Sequence, residues 1–146
     1  MNVASRDVRY QRWRVGLYGL LHRGARALNA SLGSAASERW ELELRYRRYL
    51  AEFGNSYSDI WVSTYSKSGT TWMQLILYQL TTAGLMDFNH LFEVSPWVYY
   101  AALREVAPAH TPSPRILKSH DPYSRFAGGT PGRFIFVMRD GKDVAV

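Results

Sequence analysis

The run IWVSTYSKSGTTWMQLILYQL, residues 60–80, decides how this chain folds. Its first six residues are β-branched or aromatic with two small polar ones, the composition of a short strand. Residues 66–71, SKSGTT, form a small-residue turn. Residues 72–80 are apolar on nearly all sides and read as a buried helix that Thr81, Thr82 and Gly84 bring to an end. A strand, a tight loop and a helix are half of a βαβ unit, so the next strand should run parallel to the first. Two further strand candidates follow, 115–119 after the TPSP linker and 134–138 after the GGTPG turn, with helical material at 97–106 between. The fold class is α/β with a parallel sheet.

In such a sheet all strand C-termini share one edge, and ligands bind outside it. Each predicted strand ends in polar chemistry. The first runs into Ser66, Lys67, Ser68, Gly69, Thr70 and Thr71, the second into Lys118, Ser119 and His120, and the third into Arg139, Asp140, Gly141, Lys142 and Asp143. The first loop has the parts of an anion cradle. Gly69 admits close approach of the backbone, the N–H groups of Gly69, Thr70 and Thr71 open a helix whose dipole favours negative charge, and Lys67 adds a full cation. It is not the GxxxxGK[ST] loop of ATP-binding proteins, because Lys67 precedes the only glycine. An early Lys in a short loop suits an anion handled without an obligatory metal.

Three motifs carry a resemblance. TYSKSGTTW (64–72), RILKSH (115–120) and FIFVMRDGKDVAV (134–146) are similar, in this order, to motifs of the soluble sulfotransferases that use 3′-phosphoadenosine 5′-phosphosulfate, PAPS. The resemblance covers residues 60–146 and implies a P-loop-NTPase-like three-layer fold, with the third strand between the first and second. By position, Lys67, Ser68, Gly69, Thr70 and Thr71 resemble the 5′-phosphosulfate loop, Trp72 the residue that stacks on adenine, and Arg139 the 3′-phosphate ligand. Lys118 and His120 match the family's Lys-x-His pair, in which the histidine is the base toward the acceptor. Phe92 and Trp97, in FEVSPW, sit where the family carries acceptor-site residues. Two positions depart from the pattern, Ser66 for a common Pro and Ser119 for a common Thr.

Sulfuryl transfer asks for these residue types. Negative charge grows on the bridging oxygen while the protein does little covalent work, so fixed cations lower the barrier. Lys67 would neutralise the departing phosphate, Lys118 would hold the sulfuryl oxygens, and His120 would take the acceptor proton. The resemblance implies PAPS as co-substrate, no metal, and a small-molecule or saccharide acceptor bearing a hydroxyl or amine. Two rival readings stand beside it: a P-loop-like kinase acting on ATP, with Asp121 and Asp140 as candidates for Mg²⁺, and an inactive fragment that works through its basic arm.

Upstream of the motifs, Ser37 can cap a helix whose first turn carries Glu38 and Glu41 and whose apolar stripe is Leu42, Tyr46, Tyr49, Leu50 and Phe53, with Gly54 as its stop. Arg45, Arg47 and Arg48 read as its solvated face. Before it comes a Ser/Ala/Gly joint at 29–36. Residues 10–28 form an amphipathic helix, with Tyr10, Trp13, Leu17, Leu21 and Leu28 on one side and Arg9, Arg12, Arg23 and Arg26 on the other. The two readings of this helix are a surface helix lying on the domain and a peripheral membrane or partner contact through residues 6–28. The domain division expected is an arm at 1–36 and, at 37–146, the N-terminal half of a sulfotransferase domain.

Composition sets the outer bounds. With 146 residues, 47% hydrophobic, the chain can bury a core. Of its 18 basic and 12 acidic residues, residues 1–37 hold six Arg against Asp7 alone, leaving 12 against 11 in the rest. The body is nearly neutral, which argues against a broad nucleic-acid surface. Cysteine is absent, which excludes disulfides and a Cys nucleophile and fits a reducing, cytoplasmic setting. His22, His90, His110, Tyr99 and Tyr100 receive no functional role. The chain stops at Val146 inside an apolar run, which reads as truncation after the third strand, short of a second 3′-phosphate ligand, the later strands and the C-terminal nucleotide loop that the resemblance implies.

Overall fold

The computed structural model describes residues 3–33, 35–53, 55–106, 111, 113–126 and 130–145, with backbone alone at 3–12 and 32. The expected stop at Gly54 and His110 lie outside this set, as does part of the GGTPG turn. Two compact units are present, residues 1–54 with 99–108, and residues 55–98 with 109–146.

The second unit carries a three-stranded parallel sheet of β1 (Ile60–Thr64), β2 (Ile116–Ser119) and β3 (Arg133–Val137). The strands match the predicted ones to within a residue at each end. Their order, however, is β2-β1-β3, so the first strand and not the third is in the middle. Ile60 pairs with both Ile116 and Arg133, and Val62 with both Lys118 and Ile135. The burial pattern gives the reason. Every residue of β1 is buried, whereas β3 is partly exposed throughout, and a run hydrophobic on both faces belongs at the centre of a parallel sheet.

Alternation along β1 builds two cores. Trp61 turns to one face, where Phe126 and Phe134 lie 5.2 and 6.3 Å from it between ring centroids. Val62 turns to the other, against Ile116 and Tyr78, with Met73, Leu77, Phe88 and Val94 packed around them. Tyr78 comes from α3 (Thr70–Thr81), the predicted helix, which starts two residues earlier than expected. It is not buried all round. Thr70, Gln74 and Tyr78 form the covered face at i, i+4 and i+8, while Trp72, Ile76 and Leu80 are exposed on the opposite one. Of the helical stretch expected at 97–106, Val98–Leu103 forms α5, and a further short helix, α4 (Leu91–Val94), precedes it. His90, unassigned from sequence, caps α4, its Nδ1 accepting from the Phe92 N–H at 3.0 Å.

The N-terminal edge of the sheet is held by a buried ion pair. Asp59, fully buried, accepts from Arg115 Nε at 2.8 Å and from its terminal amine at 2.6 Å, and from the Ser56 N–H at 2.7 Å. On the β3 side, Gly132 (φ +124°) leaves room that a Cβ would fill, since it would stand 2.9 Å from the Asp59 carbonyl oxygen.

In the first unit, α1 (Val3–Leu32) packs on α2 (Ala35–Phe53). The joint is shorter than the expected 29–36, because the helix continues to Leu32 and Gly33 (φ +54°) closes it, donating to the Asn29 carbonyl. Ser37 lies inside α2 and is not its cap. Its hydroxyl donates to Asn29 Oδ1 at 2.8 Å. Glu41 is therefore beyond the first turn and binds Asn29 Nδ2 and Arg45 instead. Arg45 leaves the solvated face assigned to it, since it also donates to the Leu103 carbonyl at 3.1 Å. His22, unassigned from sequence, is buried 3.6 Å from Glu41, and burial together with Arg45 holds its imidazole below the usual histidine value.

Removing one partner of a buried pair strands the other. Arg115→Met should lower unfolding stability in urea by about 3–5 kcal/mol, with the double variant Asp59→Asn/Arg115→Met recovering a large part. Equal losses in single and double variants would show that the pair contributes nothing beyond packing.

Candidate functional site

Because the three strands are parallel, the residues that follow Thr64, Ser119 and Val137 lie at one edge of the sheet. After Thr64 the chain makes a tight loop in which Lys67 (φ +62°) and Gly69 (φ +102°) are both left-handed. A left-handed Lys is uncommon, while Gly69 takes the conformation only glycine adopts without strain. The Ser68 N–H donates to the Tyr65 carbonyl at 3.2 Å and its residue is buried, whereas Lys67 extends into solvent.

Gly69 is the N-cap of α3 and offers no side chain, so no side-chain oxygen occupies the first-turn N–H groups. Those donors, the positive end of the helix dipole and the Lys67 ammonium are groups that could hold an anion. Among the described residues Lys67 enters no ion pair. The Thr70 and Thr64 hydroxyls, both buried, hydrogen-bond to each other and fix where the helix begins.

Lys118 is the third residue of β2, opposite Val62. Its backbone N–H donates to the Pro96 carbonyl at 2.9 Å, and Trp97 forms a parallel bridge with it, so residues 95–97 extend the sheet past β2. This segment is tied to α3 by Gln74, whose amide donates to the Ser95 hydroxyl at 2.8 Å and carbonyl at 3.0 Å. Trp97 thereby meets both other groups: the Lys118 ammonium lies 4.8 Å over its ring, and the His120 ring stands edge-on at 5.2 Å and 81°. Burial lowers the Lys118 ammonium from its ordinary 10.5, and no carboxylate among the described residues offsets this.

His120 is fixed at its other side. Its Nδ1 is 2.8 Å from the Thr64 carbonyl oxygen, which can only accept. Nδ1 therefore carries the proton, and in the neutral ring Nε2 keeps its lone pair.

Three contacts thus gather Lys118, His120 and Trp97 around the end of β1. Other expected site residues stand apart from that cluster. Trp72 is 74% exposed, so its ring is available for stacking and is not a core group. Arg139 follows β3 and pairs with Asp143 at 3.7 Å on the surface. Phe92 is half-buried on α4. Thr71 is exposed in the first turn of α3.

The two acids weighed as metal ligands have other partners. Asp121 accepts from the Ser119 hydroxyl at 2.8 Å and pairs with Arg125 at 3.5 Å, and Asp140 caps α6 (Gly141–Val144) by accepting from the Lys142 N–H at 2.9 Å. Sequence reasoning missed Thr64, Gln74 and Ser95 as the frame of the site. A signal for Gln74 was present: it is the one amide facing inward, four residues after Thr70, in an otherwise apolar helix.

The tautomer is checkable. In ¹⁵N-detected NMR at alkaline pH, His120 should show protonated Nδ1 and unprotonated Nε2. A dominant Nε2–H form in the intact protein would contradict the geometry.

Comparison with known proteins places these motifs. Residues 57–146 match the sulfotransferase domain family. The amine sulfotransferase of Oryctolagus cuniculus is 30% identical over 115 residues, covering 75% of this chain and 38% of that protein. Sulfotransferase 2A1 of Homo sapiens is 34% identical over 110 residues (68% and 37%), and sulfotransferase 1B1 of Mus musculus 31% over 110 residues (66% and 36%). The chain spans little more than a third of the length of these relatives. A parallel α/β sheet, a Lys-bearing loop at the first strand end, a Lys-x-His at the second and a family match across all of them make this chain a member of the sulfotransferase domain family.

Proposed function

We propose that the protein transfers a sulfuryl group from PAPS to a hydroxyl or amine of a small-molecule or saccharide acceptor. The observation that carries this reading is the fixed orientation of His120, with Nδ1 on the Thr64 carbonyl and Nε2 left as a base, while its ring and the Lys118 ammonium both lie against Trp97. The uncapped, left-handed Gly69 turn supports a phosphate-bearing ligand at the same edge. An amine among the acceptors is supported by one relative, the amine sulfotransferase of Oryctolagus cuniculus.

PAPS would supply an activated sulfuryl group on a phosphate leaving group. The N–H groups of Gly69, Thr70 and Thr71 and the Lys67 ammonium would hold its 5′-phosphosulfate, with Ser68 shaping the turn. Trp72 would cover the adenine, and Arg139 would exchange Asp143 for the 3′-phosphate. Lys118 donates toward the sulfuryl oxygens from a partly desolvated position, where a cation acts more strongly than in water. His120 Nε2 accepts the acceptor proton, and its imidazolium form remains stabilised by the Thr64 carbonyl. Trp97, and Phe92 on the same stretch, would supply the apolar wall of the acceptor pocket.

Turnover and binding separate the roles. With PAPS and a phenol or amine acceptor, His120→Asn should lower kcat by about 10²–10⁴ and abolish the acidic limb of the pH–rate profile. Lys67→Ala should lower kcat by about 10²–10³ with a smaller effect on donor affinity. The alkaline limb should fall below the ordinary lysine range, because Lys118 must stay charged and burial lowers it. Calorimetric binding of ATP in preference to PAPS, or a His120→Asn profile identical to the parent's, would defeat the proposal.

A further inference from the structure

Helix α1 turns its apolar side away from α2, the helix it packs on. On α1, His22 and Ala25 are buried and Asn29 bonds Glu41 of α2, so the covered face runs through positions 18, 22, 25 and 29. Trp13, Leu17, Leu20, Leu21 and Leu28 are 52, 42, 61, 37 and 50% exposed. At 100° per residue these five occupy an arc of roughly 100° on a different side. Arg14 borders the arc on one margin, and Arg23 stands about 60° beyond the other and forms no ion pair among the described residues.

We propose that this stripe of α1 docks on an anionic lipid surface, the helix axis lying in the plane of the headgroups. Charge decides between occupants. Residues 1–37 carry six Arg against one acid, so a second copy of this face would set Arg against Arg, whereas acidic headgroups meet them with opposite charge. Trp13 suits the headgroup boundary, with an apolar body and one polar N–H. The helix lies on the bilayer and does not cross it, since no helix among the described residues is long and apolar enough to span one. The inference rests on α1 alone and is independent of the sulfuryl-transfer reading.

The test is cosedimentation of the full chain with phosphatidylcholine vesicles, with and without about 30 mol% phosphatidylserine, at low and high salt. The chain should pellet with the anionic vesicles and be released on the order of tenfold by about 0.5 M salt. Leu17→Glu/Leu20→Glu should lose binding by tenfold or more, on the order expected when two leucines no longer enter the boundary, with circular dichroism unchanged. Arg23→Ala should weaken binding by roughly fivefold, the share of one juxtamembrane cation, and keeps the test open if the double variant misfolds. Equal binding to neutral and anionic vesicles would overturn the proposal. So would undiminished binding by both variants, or a dimer in sedimentation that the double variant dissociates, which would make a second copy the occupant.

Discussion

Thr64 ends the central strand and is held from two directions at once. Its hydroxyl bonds that of Thr70, which sets the first turn of α3, and its carbonyl takes the Nδ1 proton of His120, which sets the direction of Nε2. A single hydrogen bond of this kind contributes only about 1 kcal/mol net, so its importance is geometric. The Gly69 turn and the histidine belong to loops after different strands, and this residue is where both are referred to one backbone position. Being fully buried on both faces of the sheet, β1 has little freedom to shift, and the site inherits that rigidity.

The opposite edge of the sheet does different work. Asp59 and Arg115 join the starts of β1 and β2, the Asp59 carbonyl receives the Arg133 N–H at 2.8 Å, and Gly132 lets that strand come close. Packing and charge pairing there fix the register of three strands, and register in turn decides which residues emerge at the far edge. Stability and chemistry are thus placed at opposite ends of the same strands, an arrangement that leaves Lys67 and Lys118 without carboxylate partners among the described residues. Cations held this way retain their full attraction for a ligand.

Much of this was legible in the residues. β-branched runs gave the strands, the Gly69 turn gave the helix start, and parallel connection put Lys67, Lys118, His120 and Arg139 at one edge. Strand order was not legible, because spacing along the chain does not say which neighbours pair, and the order suggested by resemblance put the third strand where β1 lies. The helix at 72–80 misled because apolar residues on nearly every side hide which face is covered; Gln74, tied to Ser95, marks that face only once Ser95 is seen beside it. In α1 the hydrophobic stripe is the exposed face, and the covered one runs through His22, Ala25 and Asn29. Periodicity alone cannot say which face of an amphipathic helix its partner covers. Arg45 and Glu41 looked like surface charges and became interhelical links because burial is set by the partner helix, not by the residue type.

The central claim is that the edge formed after Thr64, Ser119 and Val137 receives a nucleotide bearing phosphates at both its 3′ and 5′ positions. The most direct measurement is amide NMR during titration with 3′-phosphoadenosine 5′-phosphate, which carries both phosphates and cannot react. The account predicts saturable shifts concentrated at Gly69, Thr70, Thr71 and Trp72, with further shifts at Lys118 and Arg139, and none at Asp59 or Arg115 on the far edge. Saturable shifts at the far edge or along α1, with the Gly69 turn unmoved, would contradict it.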